Sequence, residues 1–341
     1  MAGVTELSCG SLSGESIKNM KILTRDKQNV HLIIDPKNEP RIEITSGEEL
    51  LIETERADCM FLSRENPYFR DQKHVVEIGV NPVTGPIFIK DANPGDILEV
   101  EILDIKPGDD GSEGYFAHIK GQGLFTNPFF SELDAPPRTV WCAVDQPKLK
   151  FGFGEVEVEV DSEPFIGTIS VASKEIIIPS SGAAKEICGN VDCHYIKKGS
   201  KILLPVNVPG ALLSIGDMHA AQGAGELISC ALECRGSLVI KTQVLKREDV
   251  PYFDWIQVDT DEFIGSVAHA LNSMEVAVKS AVYDIVKRME HMTLLDYLDA
   301  YMLMGQCVKI EICQMVGSYN TVIAMIPKDI INKLNQGSGK E

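Results

Sequence analysis

What this 341-residue chain lacks narrows its role first. No stretch reaches the roughly 18 consecutive apolar residues that a membrane span requires. The run from Met1 to Gly10 has no basic start followed by an apolar core, so no secretory signal is expected. Basic residues are scarce: 32 Lys and Arg stand against 50 Asp and Glu, a formal net charge of −18. Such a surface repels nucleic acid and anionic membrane; it suits a soluble enzyme acting on a neutral or cationic small molecule, or serves solubility alone. The nine cysteines contain no Cys-x-x-Cys pair, and the Cys188/Cys193 and Cys230/Cys234 spacings do not repeat as a zinc framework would. An odd count without a signal fits reduced thiols in a cytoplasm, most of them small core residues. Walker and Rossmann glycine patterns are missing, which argues against nucleotide cofactors. Ser180-Ser-Gly182 with Lys185 superficially resembles a Ser–Lys amidase, yet the Gly-x-Ser-x-Gly elbow is absent, so a serine nucleophile is not expected.

What is present is ordinary globular composition, 44% hydrophobic and 24% charged, in a chain long enough for two units. Up to about residue 245 the patterning predicts strands. Glu155–Val160 alternates acid with valine, Leu98–Ile105 alternates and then turns apolar, and residues 176–178 and 201–206 read as strands buried on both faces. Gly, Pro and Asp turns separate them, at 93–96, 107–110, 151–154 and 198–200. Many short strands of this kind predict a sandwich or barrel. Beyond about Asp259, Ile264, Val267, Ala268, Leu271, Met274, Val278, Ala281, Val282, Ile285 and Met289 recur at helical spacing, with Thr260 or Asp261 as cap. A second helix is predicted from Thr293, where Thr293-Leu-Leu-Asp296 resembles a capping box, to about Gly305, followed by strands near 308–316 and 321–326. The expected organisation is a mainly β body over 1–245, a smaller α/β lobe over 246–331 and a disordered tail over 332–341.

The chemistry concentrates between Gly189 and Glu226. Gly189-Asn-Val-Asp192 precedes an apolar strand and the run Gly216-Asp-Met-His-Ala-Ala-Gln-Gly-Ala-Gly-Glu226. Asp217, His219, Gln222 and Glu226 sit there among small residues, which let backbone and ligand approach closely. Imidazole and carboxylate are the usual ligands of a hydrolytic divalent metal, though Asp-x-His alone is common and Gly-Asn-x-Asp could form only a turn. His118 reads as a core or edge residue, His31 and His74 as exposed, and His269 and His291 as surface or interface residues of a helical region. His194 is a further candidate for the site.

The run from Leu204 to Glu226 resembles the signature of the acetamidase/formamidase family. So do Gly189-Asn-Val-Asp192 followed by Lys198-Gly-Ser200, residues 81–96, and Ala324-Met-Ile-Pro-Lys-Asp329. The resemblance extends from about Lys27 to Asp329, and the 204–226 block is its specific part. It implies a mostly β fold with an α/β carboxy-terminal part, and hydrolysis of short amides such as formamide or acetamide to a carboxylate and ammonia. It also implies a bound divalent metal, zinc or calcium, and a homo-oligomer such as a dimer. Asp192 and His219 become the metal ligands, and Glu226 and Asp217 become candidates for metal support or general base. Separately, the glycine content of Gly223–Gly225 makes that backbone a candidate oxyanion site. One departure stands out: Ala224 occupies a position where the family usually carries a carboxylate. In a second, Lys90, Asp91 and Asn93 replace a more acidic stretch. Ala224 motivates one alternative, a non-catalytic metal- or ligand-binding protein descended from the hydrolase; a further alternative is a hydrolase of cyclic or larger amides.

Overall fold

A computed structural model describes residues 20–124, 135–228, 230–316 and 319–336. Two large sheets carry the fold. Among the described residues the first has nine strands, in the order Lys21–Leu23, Glu49–Thr54, Gly236–Leu245, Ile97–Pro107, Lys201–Pro205, Ile256–Asp259, Phe263–Leu271, Tyr319–Pro327 and Lys309–Gln314. The second is built around Leu213–His219, which pairs antiparallel with Phe165–Ser170, Val83–Ile89 and Glu233–Cys234. Leu98, Val100 and Ile102 of the first sheet share one buried apolar cluster with Ile166, Ile169, Leu213 and Ile215 of the second. The two sheets therefore pack together through the alternate residues that each strand turns inward. This is the mainly β architecture that the strand patterning predicts.

The first sheet continues across residue 245, because Lys201–Pro205 pairs with Ile256–Asp259. Beyond it, the helix Met274–Met292 covers Phe263–Leu271 and Tyr319–Pro327, sealing a second cluster that includes Ala277, Ala281, Ile285 and Met289. A helix over antiparallel strands matches the α/β character expected of the carboxy-terminal part, but its start differs. Residues 263–271 form a strand and not the first turns of a helix. Ile264 to Ala268 are buried continuously, and an apolar run without alternation imitates helical spacing. The helix begins where Ser273 caps it, its side chain accepting from the Val276 N–H at 3.2 Å. The second helix is also shifted. Thr293 ends the first helix, and Asp296 caps Tyr297–Cys307 by accepting from the Asp299 N–H at 2.9 Å.

Three other expectations change. Residues 176–178 are not a strand buried on both faces: only Ile178–Pro179 pairs, and Ile177 is exposed. In the hairpin of Lys148–Phe153 with Val156–Asp161, Val156 and Val160 are exposed along with the acidic face. Residues 332–336 of the expected tail complete the helix Lys328–Gln336, and 337–341 lie outside the described residues.

Candidate functional site

The central strand Leu213–His219 delivers Asp217 and His219 to one end of the second sheet. Its two neighbours complete the surroundings. Phe165 pairs with His219 on one side and Glu233 on the other. The Phe165 ring meets the imidazole edge-on, with centroids 4.8 Å apart, and holds its plane. Asp192 arrives from the turn after Cys188–Asn190. Its N–H and that of Val191 both donate to the Gly167 carbonyl, at 3.2 and 3.1 Å, which ties the turn to the strand beside His219. Glu226 closes the group from the loop beyond the central strand.

Gly167 is what allows the convergence. A Cβ at this residue would lie 2.6 Å from Asp192 Oδ1, 2.7 Å from Asp217 Oδ2 and 2.9 Å from His219 Cε1. Any side chain here would fill the space the three functional groups share. The backbone is strained at the same place. Asn81, Asp192, Asp217 and Glu226 all have positive φ, between 46° and 60°. For residues other than glycine this costs roughly 1–2 kcal/mol each, and it persists only where surrounding structure enforces it.

The donor atoms of Asp192, His219 and Glu226 lie within 4.8 Å of one another, as do those of Asp217, His219 and Glu233. His219 is shared. Its Nε2 is 3.4 Å from Asp217 Oδ1 and 3.3 Å from Glu233 Oε2. Part of the cluster is held firmly. Asn81 Nδ2 donates to Asp217 Oδ2 and to Asn190 Oδ1, both at 2.7 Å. Thr168 Oγ1 donates to Asn190 Oδ1 at 2.5 Å, and Asn190 Nδ2 donates to Asp192 Oδ2 at 2.6 Å. Glu233 Oε1 accepts from the Ala231 N–H at 3.1 Å. Asp192, Asp217 and Glu233 are therefore each oriented through one oxygen. The other is left over: Asp192 Oδ1, Asp217 Oδ1 and Glu233 Oε2 are buried without a hydrogen-bond partner, and so is His219 Nδ1.

Buried carboxylates without cations are expensive in water-excluded surroundings. Burial, with Glu226 and Asp217 beside it, pushes the Asp192 carboxyl well above the usual carboxylate range. Burial pushes Glu226 up to about 8, against the opposing pull of the His219 imidazole. Burial works against a charged His219, but Glu233 and Asp217 override it and raise the imidazole well above its ordinary value. No lysine or arginine among the described residues lines the cavity of about 500 Å³ into which these groups open. One imidazole and several carboxylates, oriented by neighbours and unsatisfied toward a common point, form a set that fits a divalent cation.

Asp192, His219, Asp217 and Glu226, all named from the sequence, thus come together here. Glu233, Gly167, Thr168 and Asn81 were not singled out. Glu233 joins only through strand pairing, and the glycine only through a close approach that no sequence motif records. Ala224 is exposed on a neighbouring cavity and not in the buried cluster, which keeps its carboxylates without it. The Gly225 N–H donates to the Cys313 carbonyl at 3.2 Å, so it is engaged and not open to an oxyanion. His194 stands apart, its Nε2 at 3.2 Å from Glu311. His31 is not exposed, since it sits partly buried against Ser214 Oγ at 3.3 Å. His269 lies on a strand and is buried, where a surface or interface position in a helical region was expected. Ser180 and Lys185 do not meet: Ser180 Oγ bonds the Leu32 carbonyl, and Lys185 pairs with Asp254 at 2.6 Å.

Residues 16–183 and 177–333 match the profile of the Acetamidase/Formamidase family. The chain belongs to the acetamidase/formamidase family. A crystal structure of acetamidase from Bacillus halodurans shares 27% identity over 92% of this chain and 99% of that one, with a TM-score of 0.81. One of acetamidase from Yersinia enterocolitica shares 29% identity over 92% and 93%, with a TM-score of 0.82. A curated relative, formamidase of Methylophilus methylotrophus, is 27% identical over 56% of this chain and 59% of its own length. The chain spans only 53% to 59% of the length of the curated relatives it matches. In this chain Asp192 and His219 lie together in one buried group of potential ligand atoms.

Proposed function

We propose that the protein hydrolyses a short-chain linear amide of the formamide or acetamide type to a carboxylate and ammonia. The observation that carries this reading is the set of oriented, unsatisfied donors around Gly167, in a chain of this family. Asp192 and His219 would hold a divalent ion, with Glu226 the third group in reach. When bound, such an ion supplies Lewis acidity toward the carbonyl oxygen and lowers the pKa of water. The imidazole favours zinc and the carboxylates favour calcium or magnesium.

The protein's own groups supply the rest. Glu226, with its carboxyl raised toward neutrality, takes a proton from the attacking water and returns it to the departing nitrogen. Asp217 orients the imidazole and is itself fixed by Asn81 and Thr168. Phe165 and the sheet around it keep bulk water from the imidazole, strengthening every charge interaction there. A reducing, cytoplasmic setting is part of this reading, supported by eight free cysteines among the described residues. The working form is a homo-oligomer, in keeping with the exposed apolar residues Leu294, Leu298, Tyr301 and Met302. The test pairs ammonia release from formamide and acetamide with elemental analysis of bound metal. Release that a chelator abolishes is the expected result; metal-loaded protein that frees no ammonia from any short amide would overturn the reading.

A further inference from the structure

A second cavity, of about 630 Å³, adjoins the first. Glu226 and Cys230 line both, so one wall of this chamber carries the carboxylate that faces His219 and Asp192. Its other walls are of a different kind. Phe116, Phe151 and Phe153 form an aromatic cluster, with ring centroids 5.0, 5.8 and 6.2 Å apart. Leu227 and Ile228 face it from the loop that delivers Glu226, and both are exposed. Ala224 lies between them and Gln222, small and uncharged. No lysine or arginine among the described residues lines the chamber, and the acids at its rim are paired, Asp161 with Lys148, Glu163 with Lys197 and Glu311 with His194, while Gln222 Oε1 and His194 Nδ1 are buried without a hydrogen-bond partner.

A formyl or acetyl group has no use for such a space. An apolar cavity on the order of 150 Å³ is enough to hold benzene. Exposed leucine, isoleucine and phenylalanine side chains around a concave site are costly in water unless a ligand covers them.

We propose that this chamber is a subsite for an uncharged aryl or extended alkyl group, so that beyond formamide and acetamide the same centre accepts, and turns over faster, primary amides with an apolar acyl chain such as an arylacetamide. This rests on the amide hydrolysis proposed above. The carboxamide would lie at Glu226 and the ring among the three phenylalanines. Ala224 is the specificity-determining residue, because a larger or charged side chain there would narrow the mouth.

Ammonia release from acetamide, hexanamide and phenylacetamide, by the metal-loaded full chain, gives the first test. The expected result is a kcat/KM for phenylacetamide at least about tenfold above that for acetamide, the scale on which apolar pockets discriminate. Ala224→Trp should lower that ratio about tenfold or more. Phe153→Ser, at an exposed position that tolerates change, should lower it through KM and serves if the tryptophan variant does not fold. Acetamide hydrolysed as well as phenylacetamide, or a ratio unmoved in both variants, overturns the subsite and leaves amide hydrolysis standing. If no amide releases ammonia, the hydrolase reading fails. The chamber is then judged by titration calorimetry with phenylacetamide: binding that Ala224→Trp removes supports it, and no binding overturns it.

Discussion

Two acid clusters in this molecule are both built around buried aspartates and end up opposite. In the carboxy-terminal part, Asp284 is fully buried, yet both its oxygens are used: Ser266 Oγ donates to one at 2.5 Å and the Trp255 N–H to the other at 3.0 Å. Arg288 beside it donates to both Asp259 oxygens, at 2.9 and 3.0 Å, and to the Gly265 carbonyl at 2.7 Å. Around Gly167, four acids share one imidazole and no guanidinium among the described residues, and three carboxylate oxygens have no hydrogen-bond donor beyond that imidazole. The first arrangement locks a helix onto a sheet. The second is unstable by itself and strained in its backbone, which is the expected signature of a site completed by something else.

The comparison breaks most decisively at the unpaired cluster. Asp192→Ala combined with His219→Ala should cut ammonia release by about 10³-fold or more and remove bound metal. Activity that survived the double change, measured beside elemental analysis, would sink the site. At the paired cluster the expected loss is stability. Arg288→Met leaves Asp259 without its cation and should cost about 3 kcal/mol in urea unfolding, while folded protein still releases ammonia. A loss of rate with unchanged stability would reverse the roles of the two regions.

A pH series sharpens the contrast further. Burial holds the Asp284 carboxyl up at about 6, above the 3.8 of an unperturbed one. The folded state therefore binds this proton more tightly than the unfolded chain. Its stabilising contribution is complete below pH about 4 and is lost as pH rises through about 6. Asp284→Asn should flatten that slope, worth on the order of 3 kcal/mol, in thermal or urea unfolding across the window. The smallest effect belongs to Asp192→Asn. In chelated protein it removes a repelling buried charge, so the melting temperature should stay level or rise by a few degrees. A clear fall would show that Asp192 is held by partners in the way Asp284 is.

Much of the fold could be read along the chain because strand and turn signals are local. Leu98–Ile105 and residues 201–206 alternate or run apolar between Gly and Pro turns, and they became central strands. The reading failed where a strand is buried on both faces. From Phe263 to Leu271 nothing alternates, so period alone could not separate strand from helix. It also failed at the helix starts, where the cap is decided by which side chain reaches a free N–H: Ser273 and Asp296, and not Thr260 or Thr293.

The site divides the same way. Asp192, Asp217, His219 and Glu226 stand out in the sequence because functional groups cluster there among glycines and alanines, within one short segment. Glu233 and Asn81 have no such local signal. The first reaches His219 only through the register of an antiparallel pair, and the second bonds Asp217 across 136 positions. The role of Gly167 is more remote still, since its missing Cβ matters only because three side chains from other segments crowd that point. The sequence by itself determined the chemistry of the donors, a property of residue type. Only the tertiary structure decided that their spare oxygens face one another, because burial and the absence of a counter-charge are set by what packs around them.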